Sequence, residues 1–289
     1  MSLHETKQAL KHKLSTQFEA VELNSLLAML IEHVTGWNQV QQAVNKDTNL
    51  TTGQLAQLNT FTSELLEGKP IQYIIGSAWF MGESYKVNEN VLIPRPETEE
   101  LVEWIVEYAS IINKPLKIID IGTGSGCIAA SLIKSLPDCK LTGLDISNAA
   151  LLIAKENAEK LNAHVEWVQE DILMTASLPD TYDIMVSNPP YIPIRELADM
   201  QGQVKDYEPN IALFVLNEDP LQFYKAIARL GKQCLSTNGQ LFFEIHYDQG
   251  ENMLTLLDEM GYHAELRQDM FGKNRMVRAS LKNKKGHFN

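Results

Sequence analysis

The chain has 289 residues, with 25 lysines and arginines against 37 aspartates and glutamates, which gives a formal net charge of −12. This acidic balance argues against sequence-independent binding to nucleic acid, because such binding depends on basic surface. Hydrophobic residues make up 44% of the chain and charged residues 21%, as in ordinary globular proteins, which argues against disorder of the whole chain.

The sequence also lacks the signals of a secreted or membrane protein. No apolar run approaches the ~18 residues that a membrane span needs. The first residues carry no apolar segment of the kind found in signal peptides. The three cysteines show no CxxC spacing, so neither a disulfide framework nor a metal site is expected. We therefore expect a cytoplasmic protein that contacts no membrane.

Residues 1–76 are predicted to form a small helical domain. Apolar side chains recur at helical spacing in three stripes, and Gly36 follows the second stripe as a natural helix end. The stripes are Leu10, Leu14 and Phe18; Leu23, Leu26, Leu27, Leu30 and Val34; and Leu55, Leu58, Phe61 and Leu65. A packed bundle explains the stripes, and it is compatible with a face that recognises a macromolecular substrate.

Short alternating segments over residues 77–93 predict a β-hairpin linker. Thr98 and the acidic residues around it are typical of the start of the next helix. Residues 94–282 then alternate between strands and helices, which favours an α/β fold with a doubly wound, mostly parallel seven-stranded sheet. The last two strands leave no room for a helix between them, so they are expected to pair as an antiparallel hairpin at one edge. The predicted strands are Leu116–Ile121, Lys140–Asp145, Val165–Gln169, Tyr182–Ser187, Gln240–Ile245, His263–Gln268 and Arg275–Leu281.

A glycine-rich turn follows the first strand of this sheet. The segment Asp120–Gly126 contains Gly122, Gly124 and Gly126, and glycine there permits positive φ angles and close approach of a ligand. It is not a phosphate-binding P-loop, since no Gly-Lys-Ser/Thr follows. It also departs from the dinucleotide pattern GxGxxG, because Cys127 stands where the third glycine belongs. The turn therefore favours a nucleoside ligand without a pyrophosphate, with a purely structural turn as the alternative.

Acidic residues follow the next two strands. Asp145 ends the second strand, where a carboxylate can accept hydrogen bonds from both ribose hydroxyls. Asp171 follows the third strand and can accept a hydrogen bond from an adenine amino group. Capping of the turn that follows is an equally good interpretation of Asp171.

The fourth strand runs into Asn188-Pro189-Pro190-Tyr191. The prolines fix φ and donate no backbone hydrogen bonds, and Asn188 is held extended by the proline after it. The Asn188 side-chain oxygen and the Pro189 carbonyl then form a rigid pair of acceptors beside the flat face of Tyr191. This set fits a planar amino group conjugated to a carbonyl or a ring, and a proline-rich structural turn is the alternative.

These motifs resemble those of a known family. Asp120–Gly126 with Asp145 is similar to class I S-adenosylmethionine-dependent methyltransferases, and Asn188–Tyr191 is similar to the subset that methylates planar amino groups. Ile93–Glu99, Tyr207–Leu213 and Asp269–Arg275 narrow the resemblance to the release factor glutamine methyltransferases of the HemK/PrmC family.

The resemblance implies transfer of a methyl group from S-adenosyl-L-methionine, with S-adenosyl-L-homocysteine as product. The acceptor is the side-chain amide N5 of the glutamine in the Gly-Gly-Gln motif of class 1 peptide chain release factors, and the modification modulates translation termination. The implied cofactor residues are Asp120, Gly122, Thr123, Gly124, Ser125, Gly126, Asp145, Asp171, Ile172 and Asn188. Asn188, Pro189, Pro190 and Tyr191 are implied to hold the glutamine amide and to carry catalysis, and Arg95 and Glu208 to shape the substrate mouth unless they form a structural ion pair.

Other functions fit parts of the pattern. The same chemistry serves amino groups of nucleic-acid bases, which the net charge disfavours, and glutamines of ribosomal proteins. A second alternative, a non-catalytic cofactor-binding module, is disfavoured because such a module would have no use for the acceptors of Asn188–Tyr191. A dehydrogenase is disfavoured by Cys127.

Overall fold

The computed structural model describes residues 1–195, 202–215 and 219–282. These residues fall into two compact units. One comprises residues 1–77 and 202–207, and the other comprises residues 78–195, 208–215 and 219–282.

Helices form the first unit. They are α1 (Leu3–Leu14), α2 (Ala20–Thr35), α3 (Gln39–Val44), α4 (Thr52–Leu66) and α5 (Ile71–Ile75). Ser2, Asn38 and Thr51 each begin a helix with a reciprocal pair of side-chain and backbone hydrogen bonds, which satisfies two free backbone donors at the helix start. Gly36 ends α2 in the left-handed conformation, with φ of 73°, as the sequence indicates. The apolar stripes meet in a core that includes Leu14, Leu27, Leu30, Ile31 and Leu58.

The remaining elements continue in chain order. They are β1 (Ser77–Phe80), β2 (Glu83–Lys86), α6 (Pro96–Ser110), β3 (Lys117–Ile121), α7 (Cys127–Ser135), β4 (Lys140–Asp145), α8 (Asn148–Lys160), β5 (Val165–Gln169), β6 (Tyr182–Ser187), β7 (Ile192–Pro193), α9 (Gly202–Tyr207), α10 (Asn210–Leu213), β8 (Phe214–Val215), α11 (Gln222–Cys234), β9 (Leu235–Glu244), α12 (Gly250–Glu259), β10 (Tyr262–Gln268) and β11 (Asn274–Leu281). Strands β1 and β2 pair as the expected hairpin. Helix α9 belongs to the first unit.

Seven described strands form one sheet in the order β10-β11-β9-β6-β3-β4-β5. The pairs β9–β6, β6–β3, β3–β4 and β4–β5 are parallel, and β11 pairs antiparallel with β10 and with β9. The predicted doubly wound sheet with an antiparallel edge is therefore confirmed. Apolar clusters cover both faces of its central strands, one around Ile118 and Ile184 and the other around Ile119 and Met185.

The start of α6 differs from the prediction. The helix begins at Pro96, a residue suited to the first helical position because its missing N–H leaves no bond unmade. Thr98 lies inside the first turn and is buried, and its hydroxyl donates to Glu244 rather than capping the helix. Glu97 and Glu99 do lie in the first turn, where the helix dipole favours negative charge.

No helix in the described ranges is both long enough and apolar enough to cross a membrane.

A tryptophan occupies the space beside two glycines where β4 meets β5. Gly143 of β4 lies opposite Trp167 of β5, and a Cβ atom built on Gly143 would lie 2.4 Å from Cζ3 of that ring. A Cβ on Gly126 would lie 3.2 Å from another atom of the same ring. The indole thus fills the space that the two glycines leave free.

Gly143→Ala is expected to lower the free energy of unfolding by about 1–3 kcal/mol, since the added methyl overpacks this site. Urea denaturation measures the effect. The same change in a Trp167→Leu background should cost clearly less, because the ring atoms that clash are gone. An equal cost in both backgrounds would show that the indole does not cause the loss.

Candidate functional site

A cleft in the α/β unit lies at the carboxyl ends of four neighbouring parallel strands, β6, β3, β4 and β5. Each strand contributes residues directly after its last hydrogen-bonded position, as expected for a ligand site in an open α/β sheet. The lining residues that the sequence singled out are Arg95, Gly122, Thr123, Gly124, Ser125, Asp145, Asp171, Ile172, Asn188, Pro189 and Pro190.

The glycine turn is tied to the end of β4. The amides of Gly122 and Thr123 both donate to the Leu144 carbonyl, at 2.8 and 3.0 Å. Gly122 and Gly124 have φ of 75° and 55°, and a Cβ on either would meet no atom within 4 Å. Their α-carbons therefore border open space on the cleft side, where a ligand can approach the backbone. Gly126 belongs to the turn but not to the cleft lining.

The Asp145 carboxylate connects the turn after β3 with the turn after β4. One carboxylate oxygen accepts from the Gly124 amide and the other from the Ser147 amide, both at 2.9 Å. Burial raises the pKa of Asp145, and these backbone hydrogen bonds act in the opposite direction. Each carboxylate oxygen has two lone pairs, so capacity remains to accept from ligand hydroxyls.

Asp171 and Ile172, which follow β5, also line the cleft. One oxygen of Asp171 accepts from the Leu173 amide at 2.9 Å, which is the capping role that the sequence left open. Ile172 is buried, with 8% of its surface exposed, and it presents an apolar side chain to the cleft.

Asp120 lies beneath the glycine turn and does not line the cleft. Its side chain is fully buried; one oxygen accepts from the Thr123 hydroxyl at 2.6 Å, and the other oxygen has no hydrogen-bond partner in the described structure. Burial raises the pKa of Asp120 to about 7, and the nearby negative charge of Asp145 adds to the effect. The second oxygen of Asp120 is therefore a buried polar atom that the turn itself leaves without a hydrogen-bond partner.

Asn188 directly follows β6, the strand next to β3, and lines the same cleft. Its Nδ2 donates to the hydroxyl of Thr98 at 3.3 Å. Pro189 and Pro190 follow it in the cleft wall and contribute no backbone donor. Asn188 and Pro189, the two residues predicted to present acceptors, therefore lie with Pro190 in the same cleft as the glycine turn.

Tyr191 is placed differently from its neighbours in the motif. It is half-buried, and its hydroxyl donates to Glu244 at 3.2 Å. Its ring lies 5.9 Å from that of His246, and it does not line the cleft. Burial raises the pKa of Tyr191, and the nearby carboxylate of Glu244 adds to the effect. Its hydroxyl is therefore a hydrogen-bond donor within the wall.

Arg95 and Glu208 form an ion pair. The Glu208 carboxylate is buried, and its second oxygen accepts from the Ile93 amide at 3.2 Å. Both of its oxygens are thus engaged within the protein. Arg95 lines the cleft and Glu208 does not, so the structural pairing is the interpretation that the geometry supports directly.

Sequence reasoning missed the buried group behind Asn188. Glu244, at the end of β9, is 1% exposed and accepts from both Thr98 and Tyr191. An acidic residue at the carboxyl end of a strand adjacent to β6 was the available signal.

Groups of His, Cys, Asp and Glu able to hold a metal ion are absent from the described part of the chain.

Family comparisons agree with this architecture. Residues 3–76 match the family described as PrmC N-terminal domain, and residues 105–204 match the Methyltransferase small domain. The chain is 41% identical over 272 residues to the release factor glutamine methyltransferase of Flavobacterium psychrophilum. The alignment covers 93% of this chain and 95% of the relative. The corresponding protein of Bacteroides thetaiotaomicron is 40% identical over 274 residues, with 94% and 97% covered.

A solved structure shows the fold. The hMettl16 catalytic domain superposes on this chain with a TM-score of 0.54 at 18% sequence identity. The superposition covers 82% of this chain and 84% of the solved chain. The seven-stranded sheet, with its glycine turn after β3 and its antiparallel edge, is that of a class I methyltransferase. The relatives narrow the class further: this chain belongs to the release factor glutamine methyltransferase family.

The raised pKa of Asp120 predicts a pH-dependent stability. The folded protein holds a proton on this carboxyl up to about pH 7, whereas the unfolded chain releases it near the ordinary value of 3.8. Stability from this group is therefore present at low pH and is lost as the pH rises between those two values, by up to about 1.4 kcal/mol per pH unit.

Asp120→Asn removes this titration, so the variant should gain stability relative to the wild type as the pH rises through that window. Urea denaturation at several pH values, without added ligand, measures the difference. Curves of free energy of unfolding against pH that run parallel for the two proteins would contradict the assignment.

Proposed function

We propose that this protein transfers the methyl group of S-adenosyl-L-methionine to the side-chain amide nitrogen of the glutamine in the Gly-Gly-Gln motif of peptide chain release factors. S-adenosyl-L-homocysteine is the second product. The observation that supports this most directly is the position of Asn188, Pro189 and Pro190 in one cleft with the glycine turn. The proposal that the substrate is a release factor rests on the family to which the chain belongs.

The turn and the two neighbouring strand ends suit this cofactor. Gly122 and Gly124 allow the cofactor to approach the backbone of the turn closely, because neither carries a side chain on the cleft side. Asp145 retains lone pairs for the ribose hydroxyls, and Ile172 gives an apolar surface for the adenine, beside Asp171. When bound, the cofactor supplies an electrophilic methyl group on a sulfonium.

The Asn188 side chain and the Pro189 carbonyl are proposed to hold the substrate amide. An amide nitrogen is a poor nucleophile, because its lone pair is delocalised into the carbonyl. Two acceptors that hold both N–H bonds orient the nitrogen and stabilise the positive charge that it gains as the new N–C bond forms and the S–C bond breaks. The electron pair of the broken bond goes to sulfur. The methylated nitrogen then loses a proton to water, so a dedicated general base is not required.

The helical unit is proposed to recognise the release factor. It has its own apolar core, and its residues match the family's N-terminal domain rather than a catalytic one. Binding outside the cleft would add affinity for the whole protein substrate without altering the reacting groups.

Labelled cofactor, incubated with the purified release factors of the same organism, tests the function. We expect label in the wild-type factor, none in a factor whose motif glutamine is changed to alanine, and a higher KM for a short Gly-Gly-Gln peptide. Label in ribosomal protein or nucleic acid instead would assign another substrate, and cofactor binding without transfer would assign a binding module.

Asn188→Ala is expected to abolish methyl transfer while the affinity for cofactor stays within about 3-fold, because the lost acceptor serves the substrate amide. Asn252→Ala, at an exposed position on α12, is the matched control and should behave as the wild type. Turnover and calorimetric affinity are both measured. Activity in Asn188→Ala equal to that of the control would refute the proposed amide site.

Asp145→Ala is expected to weaken cofactor binding by about 1–3 kcal/mol, the loss of charge-assisted hydrogen bonds. Asp145→Asn keeps an acceptor at the same place and should lose less. Isothermal titration calorimetry measures both affinities. An unchanged affinity in Asp145→Ala would move the ribose site elsewhere.

A further inference from the structure

A buried chain of hydrogen bonds begins at Asn188 and passes through Thr98, a residue that also lines the cleft. The Nδ2 of Asn188 donates to Thr98 Oγ1 at 3.3 Å, and the same hydroxyl donates to a Glu244 oxygen at 2.6 Å. Thr98 is 3% exposed and Glu244 is 1% exposed. The chain connects three elements, the first turn of α6, the end of β6 and the end of β9.

The chemistry of the three groups fixes the direction of every bond in this chain. A carboxylate only accepts hydrogen bonds, so the single proton of the Thr98 hydroxyl is committed to Glu244. The Thr98 oxygen can then only accept, and the part of Asn188 that faces it must be the amino group. The Asn188 oxygen is thereby left as the group available to a ligand.

Without this chain, the two ends of the Asn188 amide would be nearly interchangeable. An asparagine turned the other way would present an amino group to the cleft, where it would face the amino group of the substrate. Two donors cannot form a hydrogen bond, so the reversed amide would be unable to hold the substrate nitrogen.

We propose that Thr98 and Glu244 are positioning residues that hold the Asn188 amide with its oxygen toward the substrate. The inference rests on the proposed function, because it assigns Asn188 the role of acceptor for the glutamine amide. Neither residue exchanges a proton with the substrate; they act by leaving Asn188 a single hydrogen-bonding orientation.

Three groups around Glu244 favour its accepting carboxylate form, although burial leaves its pKa above the ordinary value. Burial raises the pKa of Glu244, whereas the hydrogen bond from Thr98, the positive charge of Arg275 and the hydrogen bond from Tyr191 act against burial. Arg275 is held by the buried carboxylate of Asp269, to which its Nε donates at 3.1 Å. The positive charge beside Glu244 is thus fixed in place.

A pair of variants at Thr98 tests the proposal. Thr98→Val keeps the shape and removes the hydroxyl, so kcat on the release factor should fall about 10- to 100-fold while KM and cofactor affinity stay within about 3-fold. Thr98→Ser keeps the hydroxyl and should restore most of kcat. Ser131→Ala is the matched control, since it removes an equally buried hydroxyl of the same unit that bonds Tyr85 and lies outside the cleft.

A second measurement reports on Asn188 without activity. In protein labelled with 15N-asparagine, the Asn188 side-chain amide is identified by its absence in Asn188→Ala. We expect one of its two protons to exchange slowly in the wild type and in Thr98→Ser, and rapidly in Thr98→Val.

The outcomes separate the two hypotheses. Wild-type kcat in a folded Thr98→Val, a loss in Thr98→Ser as large as in Thr98→Val, or rapid exchange of both Asn188 amide protons in the wild type would each overturn the positioning role. A wild-type protein that does not methylate release factors would overturn the proposed function instead, and the exchange measurement would still decide the orientation of Asn188.

Discussion

Parallel hydrogen bonding holds Ile121, the last residue of β3, level with Leu144 on one side and with Ser187 on the other. On the far side of β4, Asp145 is level with Gln169. Because a parallel register fixes where each chain leaves the sheet, the glycine turn, the Asp145 carboxylate and Asn188 all emerge at one edge. Every contact in the cleft depends on that register, and the buried apolar faces of the strands enforce it.

The central part of the fold could be predicted from sequence because burial leaves a clear pattern there. The predicted bounds of β4, β5 and β6 agree with the structure. β9 is different: it begins at Leu235, five residues before the predicted start, and Ser236–Gly239 alternate too little to reveal a strand. The short helices α3 and α5 were missed, since five or six residues are too few to show a helical period.

The site was predictable only as far as local motifs extend. The glycine turn, Asp145 and Asn188 could be recognised because each stands beside its own strand. The bond from Thr98 to Glu244 joins residues 146 positions apart, and no spacing in the sequence records it. Thr98 looked like a helix cap, and only the packing of α6 beside β9 shows what its hydroxyl does. Asp120 and Tyr191 do not line the cleft, and the contact of either residue with a ligand stays a prediction.

The two prolines after Asn188 have a consequence for selectivity. Since neither carries an N–H, this part of the wall offers oxygen atoms and no compensating backbone donor. A side chain that is itself rich in electrons, such as the carboxylate of glutamate, would lose its hydration there and be repelled. Glutamine and glutamate have nearly the same shape, so for the proposed glutamine substrate such a wall would favour the amide over the acid by charge rather than by fit.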